Sequence, residues 1–114
     1  MSGREETTAI DRLRVVRHAS RQSLGIAAGD EIASILRQRL AEQPQVRVVF
    51  AAAPSQNETL ERLCAADGID WPRVVAFHMD EYVGLAADAP QRFSRYLREH
   101  LFDRVQPGRV ELIG

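Results

Sequence analysis

Residues 73–85 read RVVAFHMDEYVGL, and the fold turns on how that stretch is read. Val74, Val75, Ala76 and Phe77 form a short apolar run with no polar alternation, which suits a strand covered on both faces in a parallel sheet. The run ends at His78, Asp80 and Glu81. In open α/β sheets ligands sit beyond the carboxyl ends of the strands, so an acidic pair there is placed to meet a small molecule. Adjacent residues of a continuing strand point to opposite faces, so only one of the two carboxylates enters a given pocket. Asp80 is the candidate base. Apolar neighbours are expected to push its pKa toward neutrality, letting it take a proton from carbon next to a carbonyl. Glu81, the second acidic candidate, reads more naturally as a brace for the loop. For either residue the plain alternative is a solvated turn or a helix cap.

His78 invites a metal reading, but a metal site needs three or four converging ligands. His18 and His100 stand in edge and helical contexts with no ligand spacing. The expectation is therefore no metal, with His78 hydrogen-bonding beside the carboxylate and tuning it.

Upstream, Val46–Phe50 is a second strand candidate rich in β-branched residues. Ala51–Ala53 lead into a turn, and Pro54-Ser55-Gln56-Asn57-Glu58 opens a helix through Leu60, Leu63 and Ala66. Strand, turn and helix in that order can bind phosphate, because the first helical amides lack intrachain partners and carry the positive end of the dipole. Ser55, Gln56 and Asn57 are the candidate phosphate-binding residues. The other reading makes Ser55 an N-cap with Glu58 completing a capping box; the loop lacks the glycines usual in phosphate cradles. Asp67-Gly68 closes this helix, and Trp71-Pro72 leads into the central strand.

Further upstream, Leu24, Ala27, Ala28, Ile32, Ile35, Leu36 and Leu40 fall three or four apart, which predicts one buried helical face opened by Ser20 and ended near Pro44. Gly25 and Gly29 lower its intrinsic propensity, so this helix leans on tertiary packing. Leu13, Val15 and Val16, flanked by arginines, suggest a short edge strand, and residues 1–12 are expected to fray. Downstream, Phe93, Tyr96, Leu97, Leu101 and Phe102 repeat at helical spacing and read as core. Pro107-Gly108 marks a turn before a strand at Val110–Ile113. Alternating strands and helices imply right-handed crossovers and a Rossmann-like parallel sheet flanked by helices, one α/β domain over residues 1–114. The last strand has no following helix, so one flank is expected to be bare and the chain to form homo-oligomers.

Bulk properties narrow the classes. The 114 residues are 45% hydrophobic and 27% charged, with 15 Lys+Arg against 16 Asp+Glu. The cations are scattered, which argues against a nucleic-acid surface. No stretch approaches the ~20 apolar residues that cross a bilayer, and MSGREETTAIDR has no apolar core of a signal peptide. A cytoplasmic protein without membrane contact is expected. The single cysteine, Cys64, reads as a buried, inert thiol.

Phe77–Leu85, FHMDEYVGL, closely resembles the FNMDEYVGL-type motif of glucosamine-6-phosphate deaminases, with His78 where Asn is usual. Ala89-Pro90-Gln91-Arg92-Phe93 and Leu101-Phe102-Asp103 resemble that family's proline-containing loop and the end of its next helix. The wider superfamily includes 6-phosphogluconolactonases and has a Rossmann-like fold. The resemblance implies conversion of glucosamine 6-phosphate to fructose 6-phosphate and ammonia, with no metal or organic cofactor. Asp80 would move a proton between C2 and C1, with Glu81 beside it and His78 and Tyr82 in support. The family's phosphate loop, of the form TGGTP, aligns with Ala52-Ala53-Pro54-Ser55-Gln56, where both glycines are replaced. Its DGH-type ring-opening segment and a later phosphate-holding Lys have no counterpart in these 114 residues. The chain therefore reads as the N-terminal half of the fold, an incomplete and weakly active or inactive fragment. A non-catalytic sugar-phosphate-binding module and a lactonase-like hydrolase are the alternative readings.

Overall fold

The computed structural model describes residues 5–81, 84, 89 and 92–113. It opens with an antiparallel hairpin, β1 (Glu5–Ile10) and β2 (Leu13–His18), registered from Glu5↔His18 to Ile10↔Leu13. Asp11 turns the corner at φ 53°. The fraying expected for residues 1–12 is thus corrected from residue 5 onward. Thr7, Thr8 and Ile10 pair with Val16, Val15 and Leu13, and such β-branched and aliphatic cross-strand pairs suit a ladder.

The long helix α1 (Arg21–Glu42) begins where its sequence places the cap. Ser20 Oγ accepts from the Ser23 amide at 3.0 Å, and Ser23 Oγ accepts in return from the Ser20 amide at 3.3 Å. Its buried face is Gly25, Gly29, Ala33, Leu36 and Leu40. Leu24 and Ile35, expected on that face, are 50% and 47% exposed. The glycines explain the rotation: a second helix, α2 (Asn57–Ala65), lies directly over them, with Glu58, Thr59 and Arg62 against the bare α-carbons.

Three parallel strands, β3 (Val46–Phe50), β4 (Val74–His78) and β5 (Arg109–Glu111), form the main sheet in the order β3-β4-β5. Between β4 and β5, α3 (Phe93–Leu97) runs through a π turn (Arg98–Phe102) into a last turn, α4 (Asp103–Val105). Strands laid down in sequence with right-handed crossovers put their helices on one side. Val46, Phe50, Val74 and Ala76 accordingly share one core with Leu36, Leu40, Leu60, Leu63, Leu97, Leu101 and Phe102. The sheet is not covered on both faces as expected. Among the described residues no helix crosses the side carrying Arg47, Val49 and Phe77, where Val49 is 64% exposed. The last strand enters through Gly108, whose amide donates to the Trp71 carbonyl at 3.0 Å against the turn before β4.

Candidate active site

Two loops leave the sheet side by side. The pairing of β3 with β4 runs to Phe50↔His78, and the Met79 amide extends it by donating to the Phe50 carbonyl at 3.1 Å. The Ala51–Asn57 and Met79–Glu81 segments therefore emerge together at the carboxyl end of the strands, where α/β sheets hold ligands.

Asp80 is exposed, and its carboxylate makes no hydrogen bond or ion pair with a described residue. The apolar shielding expected for it is not supplied by the described residues, because the helices cover only the flank of the sheet and not this mouth. Its neighbours on both sides are fixed. The Glu81 side chain is buried, only 3% exposed. Its two oxygens accept from the amides of Phe93 at 2.9 Å and Ser94 at 3.0 Å, a carboxylate on the positive end of α3. The Arg92 guanidinium, its side chain 9% exposed, pairs with the same carboxylate at 3.3 Å and donates to the Ile113 carbonyl at 2.8 Å.

His78 does not bond to the Asp80 carboxylate, contrary to the tuning role expected. Its side chain follows Val74 and Ala76 on the helix-covered face, where the residue is 6% exposed and Nε2 accepts from the Ile113 amide at 2.6 Å. An accepting Nε2 places the ring proton on Nδ1, which is buried without a partner among the described residues. Tyr82 lies outside the described residues.

On the neighbouring loop, Ser55 is exposed at the centre of a 3₁₀ turn (Pro54–Gln56) that leads into α2. No side chain caps either helix start. The expected capping box is absent because Glu58 is drawn to α1, where it takes the Arg21 guanidinium at 2.8 Å. Arg21 also donates to the Pro54 carbonyl, fixing the loop to the start of α1. Tyr96, expected as plain core, supports the loop from below: its hydroxyl lies 2.6 Å from both the Ala53 carbonyl and Asn57 Oδ1. Desolvation by burial raises the Tyr96 pKa, followed by the negative charge of Glu58. The exposed Ser55 hydroxyl thus sits on a turn held by Arg21 and Tyr96.

Arg92 and Tyr96 were missed as site residues. For Arg92 a signal existed: a cation at the opening of a helix faces the wrong end of the dipole, so it needs a carboxylate, and Glu81 is that group. Cys64 donates its thiol to the His100 carbonyl at 3.3 Å, and burial raises its pKa. No group of three or more metal-ligating side chains converges among the described residues. Among them, too, no helix is long and apolar enough to cross a membrane. A hollow of about 610 Å³ lies away from this mouth, between α1 and β3, lined by Ile32, Ile35, Leu36, Arg39 and Val46 among others.

No protein-family model matches the chain. The glucosamine-6-phosphate deaminase of Arthrobacter sp. (strain FB24) is 34% identical over 91 residues, covering 78% of this chain and 35% of that protein. A 6-phosphogluconolactonase structure from Shewanella baltica matches with a TM-score of 0.73 at 23% identity, covering 82% of this chain and 40% of the other. The structure of a monomeric glucosamine-6-phosphate deaminase matches with a TM-score of 0.69 at 19% identity, covering 82% and 39%. These structural likenesses show the fold. The chain spans about a third of the length of the curated relatives it matches.

Proposed function

We propose that this chain, which belongs to the glucosamine-6-phosphate deaminase family, supplies the proton-transfer carboxylate and part of the phosphate site for the conversion of glucosamine 6-phosphate to fructose 6-phosphate and ammonia. The observation that carries this reading is Asp80, a carboxylate with no partner among the described residues, at the carboxyl end of β4 beside the loop after β3.

On the open-chain sugar, Asp80 takes the proton from C2 as the C1 carbonyl oxygen takes one from water, giving an enol; the proton released when water later adds at C2 restores the balance. The carboxylic acid then returns its proton to C1, which leaves an iminium at C2. Water adds there and ammonia departs, so one carboxyl group serves both carbons and ends as it began. The phosphate lies against the Ser55 hydroxyl on the turn that leads into α2; the amides of Gln56 and Asn57, expected as further donors, are already given to the Ala53 and Pro54 carbonyls. The described residues leave Asp80 exposed, so the bound substrate itself is what keeps water from it. Glu81 holds the loop in place. No metal or organic cofactor takes part in this scheme. A cytoplasmic location goes with this reading, and among the described residues the unpaired edge of β3 and the uncovered sheet face support association with further copies.

The test is ammonia release from glucosamine 6-phosphate by the polypeptide that joins this chain to the remainder of the fold. Asp80→Asn is expected to lower kcat by roughly 10²–10⁴-fold with KM little changed. Undiminished turnover, or lactone hydrolysis in place of ammonia release, refutes the assignment.

A further inference from the structure

We infer that Arg92 and His78 are positioning residues for Asp80, coupled to each other through the backbone of Ile113; this rests on the reading of Asp80 as the proton-transfer base. Residues 78–81 have buried ends and an exposed middle, Met79 and Asp80. The side chains of His78 and Glu81 are buried and bonded, while Asp80 between them is exposed and has no partner among the described residues. A loop residue with a free side chain keeps a fixed direction only if its neighbours are fixed, and reacting groups must be held to a fraction of an ångström.

The two anchors are not independent. Ile113, just past β5, gives its amide to His78 Nε2 at 2.6 Å and its carbonyl to Arg92 at 2.8 Å. Arg92 in turn pairs with Glu81 at 3.3 Å, and Glu81 holds the first amides of α3. The bonds form one closed path from residue 78 across β5 to the helix and back to residue 81, with Asp80 inside it. The Glu81 oxygens face two amides and a guanidinium, and Arg92 also lies 3.4 Å from Ser94 Oγ. The path imposes one ring state on His78. Nε2 must carry the lone pair and Nδ1 the proton, so Nε2–H imidazole and imidazolium are both incompatible with it. The resemblance places Asn at position 78, and an acceptor that reaches the Ile113 amide belongs to the histidine found here.

The experiment has a spectroscopic arm and a kinetic arm. In the 114-residue chain, nitrogen NMR of His78 is expected to show the Nδ1–H tautomer. A proton on Nε2 overturns the proposal. Arg92→Lys keeps the charge but cannot reach both Glu81 and Ile113 with one ammonium; it is expected to speed amide exchange at Ile113 by about tenfold or more, as for the loss of one charge-assisted bond. His78→Gln, which keeps an acceptor near the Nε2 position, is expected to restore slow exchange relative to His78→Ala. Unchanged exchange at Ile113 in Arg92→Lys overturns the coupling. In the longer polypeptide Arg92→Lys is expected to lower kcat at least tenfold with KM within about twofold, the mark of a misplaced reacting group. If exchange rises but kcat holds, the positioning role is overturned while the base assignment stands. If Asp80→Asn keeps full turnover, the base assignment fails while the tautomer result still reports on the path itself.

Discussion

Replacing Gly29 by alanine sets two effects on one carbon against each other. In an isolated helix the change stabilises by up to ~1 kcal/mol, because alanine is the better helix former. Here the added methyl would lie 2.6 Å from Arg62 Cβ, 2.8 Å from Arg62 Cγ and 2.9 Å from the Thr59 carbonyl oxygen. Carbon atoms in good contact sit about 3.5–4.0 Å apart, so α2 must retreat by about 1 Å. The near side of Arg62 and the Thr59 backbone cannot rotate away, and Arg62 is also tied to Asp30 at 2.7 Å. Overpacking of this kind costs about 1–3 kcal/mol, which outweighs the propensity gain. The net expectation is destabilisation of about 1–2 kcal/mol, or a fall in Tm of roughly 5–15 °C for a domain of this size. Urea unfolding measures it, with Ser34→Ala on the exposed face of α1 as the control that tests propensity alone. A Gly29→Ala protein more stable than the parent would show that the helices are not in direct contact at this glycine.

Tyr96→Phe removes the hydroxyl that supports the Ala53 carbonyl and Asn57, and is expected to cost about 1 kcal/mol. Exchange of the Gln56 amide, which donates to the Ala53 carbonyl at 2.9 Å, should quicken with it; an unmoved rate would detach Tyr96 from the loop. Burial raises the Cys64 pKa, so at mildly alkaline pH the folded chain holds less thiolate than the unfolded chain. Alkylation of the native protein should therefore lag behind that of the denatured protein at the same pH, and equal rates would contradict the burial.

The strands and the main helices were legible because their signals are local. Val74–Phe77 and Val46–Phe50 are runs of strand-forming residues, and Ser20 caps α1 as its hydroxyl predicts. Gly25 and Gly29 were readable as helix formers dependent on packing, but which face they turn inward depends on α2, a partner outside the local sequence. That is why Leu24 and Ile35 were expected inside and lie outside. The Ser55–Glu58 capping box failed for a similar reason, since Arg21, 37 residues from Glu58, competes for the carboxylate. At the site, the sequence set Asp80 apart from Glu81 as base and brace but assigned the apolar shielding to Asp80, whereas Glu81 is the buried one and Asp80 is exposed. The division comes from Arg92 and Ile113, which meet residues 81 and 78 only once β5 is in the sheet.

The π turn at Arg98–Phe102 also governs how this segment can change over generations. The wider turn takes up one residue more than an α-helical turn would, and the residues after it are rotated accordingly by roughly 100°. Leu97 before the turn and Leu101 and Phe102 within it are buried, and Val105 after it packs against the same core in the rotated frame. Swapping one side chain for another of similar volume leaves the frame intact, whereas dropping a single codon would restore the ordinary pitch and swing the downstream residues off the core. Drift here is confined to changes of identity, with length held constant.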